Sequence, residues 1–207
     1  MHQNAKPLRE VAQAAILWPI WLRIGLLDIQ MRYRRSALGV GYIFINLAVM
    51  VSYEKALKSS GIAGNLEISY LIASLFVFGA VSAGNVGTVI VYFAAMAFLA
   101  NFMREIAKDI QDMDGDRGVR NTAPLAHGVG AASALASFSL LAAVFLSPVP
   151  YLVHITTVYY LAIVLAADAI FIYSIFLLGR RMAKGSQTCA KLGMLLSLLA
   201  FAIGVVA

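Results

Sequence analysis

The residues with the clearest chemical content lie in the run 101–128, which reads NFMREIAKDIQDMDGDRGVRNTAPLAHG. On a helix turning about 100° per residue, with Asn101 at zero, Lys108 and Asp112 fall within about 20° of it. Glu105 and Asp116 fall within about 60°, Asp109 near about 80°, and Arg104 about 60° to the other side. One face therefore carries an amide, three aspartates, a glutamate and two bases, provided the helix persists through Asp114–Gly115 to Asp116. Carboxylates at i, i+3 and i+7 repel one another, and a hard cation relieves that repulsion. Mg²⁺ suits such a set because it takes one or two carboxylates, keeps waters and bridges to substrate phosphates. Arg104, Lys108, Arg117 and Arg120 supply positive charge for a diphosphate. The competing account is a solvated loop with ordinary helix-end charges. Against it, the polar face begins inside an apolar run, at Asn101 and Arg104, where polar groups are costly and usually face a cavity.

The elements that position this face must be membrane helices. Of 207 residues, 61% are hydrophobic and 13% charged, more apolar surface than a soluble domain of this length could hide. The expected fold is all-α: a polytopic transmembrane helix bundle of about six spans plus an N-terminal interfacial helix. The spans are expected near Ala37–Ser52, Leu66–Gly84, Val86–Asn101, Val129–Ser147, Tyr151–Gly179 and Leu192–Ala207. The fifth is long enough to tilt or bend strongly. Ala12–Ile29 carries Pro19, Arg23 and Asp28, with Trp18 and Trp21 at headgroup level, and reads as the interfacial helix. No cleavable signal peptide is expected.

Charge sets the orientation. Lys55 and Lys58 follow the first span, Arg104, Lys108, Arg117 and Arg120 the third, and Arg180, Arg181, Lys184 and Lys191 the fifth. The turns at Asn85 and Pro148–Pro150 carry no charge. The charged loops are thus expected to be cytoplasmic in a multi-pass protein of the cell membrane, in contact with membrane lipids. The net charge of +6 marks these loops and not a nucleic-acid partner. Arg32, Arg34 and Arg35 break the alternation, which suggests a basic N-terminal segment, 1–36, distinct from the membrane domain, 37–207. The single cysteine, Cys189, excludes an internal disulfide framework. Asp168, deep in the fifth span, is either protonated or paired; both a functional role and a structural hydrogen bond remain open.

The run from Arg104 to Asp116, followed by Arg117 and Thr122-Ala-Pro-Leu, resembles the second aspartate-rich motif of the UbiA superfamily of intramembrane prenyltransferases, in the flavour of the archaeal digeranylgeranylglyceryl phosphate synthases. Tyr53-Glu-Lys-Ala-Leu-Lys58 with Gly64-Asn65 resembles that group's tyrosine–lysine loop, and Pro148–Tyr151 and Ala166-Ala-Asp168-Ala its late helices. The resemblance covers about residues 46–207. It implies that Asp109, Asp112 and Asp116 hold Mg²⁺ and, with Lys108, form the catalytic set. It implies that Lys108, Arg104, Tyr53 and Lys58 touch an isoprenyl diphosphate, and that Asn101 and Glu105 line the cavity. The donor would be geranylgeranyl diphosphate and the acceptor geranylgeranylglyceryl phosphate, in membrane phospholipid biosynthesis.

Two features depart from that pattern. The family's first aspartate motif has no counterpart upstream of Tyr53, where the only aspartate is Asp28, and the six spans correspond to the family's fourth to ninth. Residues Asp28–Gly39 instead resemble the entrance segment of ABC-type polysaccharide exporter permeases; a basic interfacial helix on anionic lipid explains them equally. Together these suggest a truncated or fused chain, with a second chain as one source of the missing helices. The alternative function is a non-catalytic membrane protein, a permease-like subunit or a remnant.

Overall fold

The computed structural model describes residues 17–25, 27, 37–57, 60–84 and 87–206. The chain divides into two compact units between Phe44 and Ile45. In the first unit, residues 17–25 form helix α1, on which Trp18 and Trp21 are exposed along with the rest of the helix. Arg32, Arg34, Arg35 and most of the segment 28–39 lie outside the described residues.

The boundary between the units falls within α2, Ala37–Ser52. After a single π-helical turn, Tyr53–Leu57, follow α3 (Ile62–Ser82), α4 (Thr88–Asp116), α5 (Ala123–His127), α6 (Val129–Leu146), α7 (Val149–Leu152), α8 (Val158–Gly179) and α9 (Ala183–Val206). Ile62–Ser82, Thr88–Asp116, Val129–Leu152, Val158–Gly179 and Ala183–Gly204 are long and apolar enough to cross a bilayer. This is a multi-pass, all-α membrane protein. The 16 residues of α2 fall short of the length at which those five qualify; at 1.5 Å per residue they reach about 24 Å against a hydrocarbon core of about 30 Å.

Two expected boundaries shift for local reasons. The fifth span does not bend but breaks, at residues 153–157. The amides of Ile155 and Thr156 both donate back to the Pro150 carbonyl, at 2.9 and 3.2 Å, and His154 takes a left-handed φ of 59°. The last span begins at Ala183, nine residues before the expected Leu192. Its first turns carry Lys184, Ser186, Gln187 and Thr188, so hydropathy alone conceals them.

Helix α4 is the centre of the bundle and packs against α3, α6 and α9. Small residues allow the close approaches. Ala107, Ala136, Ala167 and Ala190 are fully buried. Gly193 and Gly204 of α9 lie where a Cβ would meet the rings of Phe171 and Tyr160 of α8. Buried hydroxyls tie the helices together. Ser139 of α6 donates to the Leu99 carbonyl of α4 at 2.8 Å, and Ser174 of α8 to the Ser186 carbonyl of α9 at 2.8 Å. In lipid such bonds have no water to compete with them.

Candidate active site

The 29 residues of α4 give a helix of about 44 Å, longer than the hydrocarbon core. Thr88–Met103 holds no charged residue, whereas Arg104–Asp116 holds seven. The first part is the crossing segment and the second reaches the headgroup region and beyond. The helix runs unbroken through Asp114–Gly115 to Asp116. Arg117 then turns to φ −57°, ψ 122°, and the amides of Val119 and Arg120 bond back to the Asp116 carbonyl, at 3.1 and 3.0 Å.

A small polar pocket, about 30 Å³, lies on this extension. Its α4 wall is Glu105, Lys108, Asp109, Asp112 and Asp116; Tyr53, Asn65, Arg120 and Thr122 close it from other elements. The opposite wall depends on one turn. Ser60 pairs with Asn121 in a parallel bridge, and Gly61, at φ +62°, starts α3 beside the backbone of Asn121–Ala123. A side chain at that φ would be strained. The turn aims α3 so that Asn65 Nδ2 donates to Asp109 Oδ2 at 2.8 Å. Burial pushes the Asp109 carboxyl above the ordinary carboxylate range; the Asn65 hydrogen bond opposes this, the charges of Glu105 and Asp116 add to it, and Arg120 draws it down. Arg120 Nη1 lies 3.9 Å from Asp116 Oδ1, and Thr122 Oγ1 is buried in the pocket wall without a protein partner.

Next to it along α4, toward the crossing segment, is a cavity of about 590 Å³, walled mainly by apolar side chains of α3, α4, α6, α8 and α9. Its polar lining is Asn101, Arg104, Ser147, Asp168, Lys191 and Ser197. Asn101 is held by Ser69, to which it donates at 3.3 Å, and accepts from Arg104 Nε at 3.2 Å. Arg104 also ion-pairs with Glu105. The adjacent residues Arg104 and Glu105 thus carry the wall of the cavity into the wall of the polar pocket.

Tyr53, Glu105, Lys108, Asp109, Asp112, Asp116 and Arg120 thus line one pocket. Asn101 lines the apolar cavity, as the resemblance implied, whereas Glu105, given the same role, lines the polar pocket, and Arg104, assigned to the diphosphate, lines the cavity. Arg117 lines neither compartment; its side chain is 65% exposed and turns back 3.6 Å from Asp114. Lys58 lies outside the described residues. Asn65, Thr122 and Lys191 were given no role in advance. Asn65 and Thr122 stand within recognisable motifs, but nothing local says that Asn65 meets a residue 44 positions away.

The carboxylates do not converge on one point. Asp109, Asp112 and Asp116 are spread over about 10 Å of helix axis, and among the described residues no three acidic, histidine or cysteine side chains gather closely enough to hold a metal. The donor set is nonetheless all oxygen, which suits a hard cation. One or two carboxylates completed by water and phosphate oxygens is how Mg²⁺ is usually held.

Comparison with known proteins settles the family. Residues 11–203 match the profile of the UbiA prenyltransferase family. The chain belongs to that family. The match runs through 28–39, so it takes in the segment that resembles an exporter permease, and begins well before residue 46. Digeranylgeranylglyceryl phosphate synthase of Methanopyrus kandleri is 38% identical over 160 residues, covering 76% of this chain and 59% of that protein. The enzyme of the same name from Methanosarcina mazei is 40% identical over 167 residues, covering 77% and 56%. A solved structure concerned with digeranylgeranylglyceryl phosphate synthase in membranes superposes with a TM-score of 0.78 at 30% identity, over 94% of this chain and 70% of that one. The chain thus spans less than two thirds of the length of these curated relatives.

Proposed function

We propose that this UbiA-family chain transfers an isoprenyl group, geranylgeranyl in the reading favoured here, from its diphosphate to a hydroxyl of a lipid acceptor such as geranylgeranylglyceryl phosphate, in membrane lipid biosynthesis. The observation that carries the reading is the juxtaposition along α4: a small acid-and-base pocket next to a large apolar cavity. An isoprenyl diphosphate has those two halves. The relatives' shared name supports the choice of substrates.

In this reading Asp109, Asp112 and Asp116 offer oxygen ligands to Mg²⁺, of which one or two bind at a time. When bound, the ion supplies charge neutralisation to the departing diphosphate. Lys108, Arg120 and Arg104 neutralise the diphosphate oxygens from the protein side, and Tyr53 offers a hydroxyl to them. Asn65 orients Asp109. The cavity takes the isoprenoid and excludes water from the allylic carbon, so that an alcohol, not water, captures it. The charged loops face the cytoplasm of the cell membrane by the positive-inside rule.

The test is transfer of labelled geranylgeranyl diphosphate to geranylgeranylglyceryl phosphate by membranes carrying the chain. Mg²⁺ is required, Asp112→Ala lowers the rate by about 100-fold or more, and Arg117→Ala leaves it within about twofold, since its side chain points to solvent. Transfer that survives Asp112→Ala intact would overturn the assignment, and no transfer at all would leave a non-catalytic membrane protein.

A further inference from the structure

The large cavity is apolar along most of its length but carries two cations at one end. Arg104 lines it from α4 and Lys191 from α9, and α9 packs directly on α4. Ala190, the neighbour of Lys191, is buried in one core cluster with Ala100, Met103 and Ala107 of α4, so Lys191 stands level with Arg104. This is the end that adjoins the polar pocket. Arg104 contacts Glu105, and Asp109 follows five residues on, about 8 Å along the helix axis. The two cations differ in what holds them. Arg104 pairs with Glu105 and donates to Asn101. Lys191 is exposed at the rim, and its side chain makes no ion pair or hydrogen bond with any of the described residues. The carboxylate of the same wall, Asp168, does not pair with it. Asp168 is bonded to Ser147, eight residues beyond the Ser139 that meets Leu99 of α4, and so lies toward the opposite end.

An unpaired ammonium at the rim of an apolar cavity suits an anion that carries an apolar tail. The proposed reaction has two such molecules. The diphosphate belongs in the polar pocket with Lys108 and Arg120. The acceptor's phosphate is poorly placed there, because Glu105, Asp109, Asp112 and Asp116 give that pocket four carboxylates and the diphosphate takes the cations that face them. It requires a cation of its own. We infer that Lys191 binds the phosphate of the lipid acceptor at the rim of the cavity. This deepens the prenyl-transfer reading and rests on it. The chemistry of the acceptor makes the location productive. A glycerol with a phosphate at one end and an isoprenyl ether at the other has its free hydroxyl on the middle carbon, next to the carbon that bears the phosphate. A phosphate held level with Arg104 therefore keeps that hydroxyl at the end of the cavity that adjoins the diphosphate. Lysine suits the task, since its ammonium is a point charge on a flexible stem and a monoester phosphate needs no fixed fork of donors.

The test separates the two substrates. In steady-state transfer assays in phosphatidylcholine nanodiscs, Lys191→Met raises the KM for geranylgeranylglyceryl phosphate about tenfold or more, while the KM for geranylgeranyl diphosphate stays within about twofold. Lys191→Arg, which keeps a charged donor at the same place, holds the acceptor KM within about threefold. A direct binding comparison in detergent uses geranylgeranylglyceryl phosphate and the same molecule without its phosphate. The wild type prefers the phosphate by about tenfold, and Lys191→Met has no preference. An unchanged acceptor KM in Lys191→Met overturns the inference and leaves a lysine that meets only the headgroups of bulk lipid. So does a parallel rise in both KM values, which marks a general change in the bundle. If the wild type transfers nothing, the proposed function fails instead. The binding comparison then decides this inference by itself, and a wild type without preference for the phosphate overturns it.

Discussion

Replacing Asn65 by alanine tests how the polar pocket works without touching any residue that would hold the ion. Asn65 is 8% exposed on α3, and its amide donates to Asp109 Oδ2 at 2.8 Å. A hydrogen bond to a charged group contributes about 1.5–3 kcal/mol. Because Asp109 is only partly buried, the lower part of that range, about 1.5 kcal/mol, is the expected loss of stability. The functional loss is of a different kind. Without the amide, Asp109 Oδ2 is no longer fixed in direction, and the carboxyl loses the hydrogen bond that holds its pKa down against burial. Both changes weaken a metal ligand, and loss of such a supporting partner typically costs 10–100-fold in metal affinity or activity. The assay is the initial rate of prenyl transfer as a function of Mg²⁺ concentration at fixed pH. The Mg²⁺ midpoint moves up by about tenfold or more, and the rate at saturating Mg²⁺ recovers to within several-fold of the wild type. If the midpoint stays put while the protein merely becomes less stable, Asn65 is a packing residue. If activity falls and added Mg²⁺ does not restore it, Asp109 does not serve the ion. Either result refutes the chain of reasoning from the α3–α4 contact to the metal.

Two further predictions concern stability. The folded-state pKa of Asp109 lies above its ordinary value of 3.8, so the folded chain binds more protons than the unfolded chain between those values. Stability is therefore lost as pH rises through that window. Asp109→Asn is expected to raise the melting temperature near pH 7 in the presence of EDTA and to reduce the stabilisation conferred by Mg²⁺; a lowered melting temperature in EDTA would count against the buried-charge account. In the α8–α9 seam, a Cβ at Gly193 would lie 2.4 Å from Phe171 Cε1, so Gly193→Ala forces a buried ring to move and costs about 1–3 kcal/mol. At Gly130 of α6 nothing lies within 4 Å of such a Cβ, and Gly130→Ala is expected to be neutral or stabilising by up to about 1 kcal/mol in the same melting experiment.

Much of this protein is written in local pattern. Apolar runs of span length require a bilayer whatever their partners, because the backbone in lipid must satisfy itself. The acidic and basic face of α4 is also local. Helical hydrogen bonds reach only four residues, so the angular positions of Lys108, Asp109, Asp112 and Asp116 follow from spacing once the helix continues past Gly115, as it does. Spacing could not say what that face meets. Arg104 and Lys108 are four residues apart on one helix, yet the first lines the apolar cavity and the second the polar pocket, because the first turn of α3 and the Ser60–Asn121 bridge cover one part of α4, and α6, α8, α9 and the rest of α3 enclose the cavity beside another. Arg117 carries the same charge as Arg120, but the backbone leaves the helix at Arg117 and sends its side chain to solvent. Asn65 meets Asp109 across 44 residues and Ser147 meets Asp168 across 21, contacts set by how helices pack and not by any periodicity. Helix type and helix face are short-range properties of the chain. The convergence of faces into a site is a property of the packed bundle, decided by where small residues let one helix come close to the next.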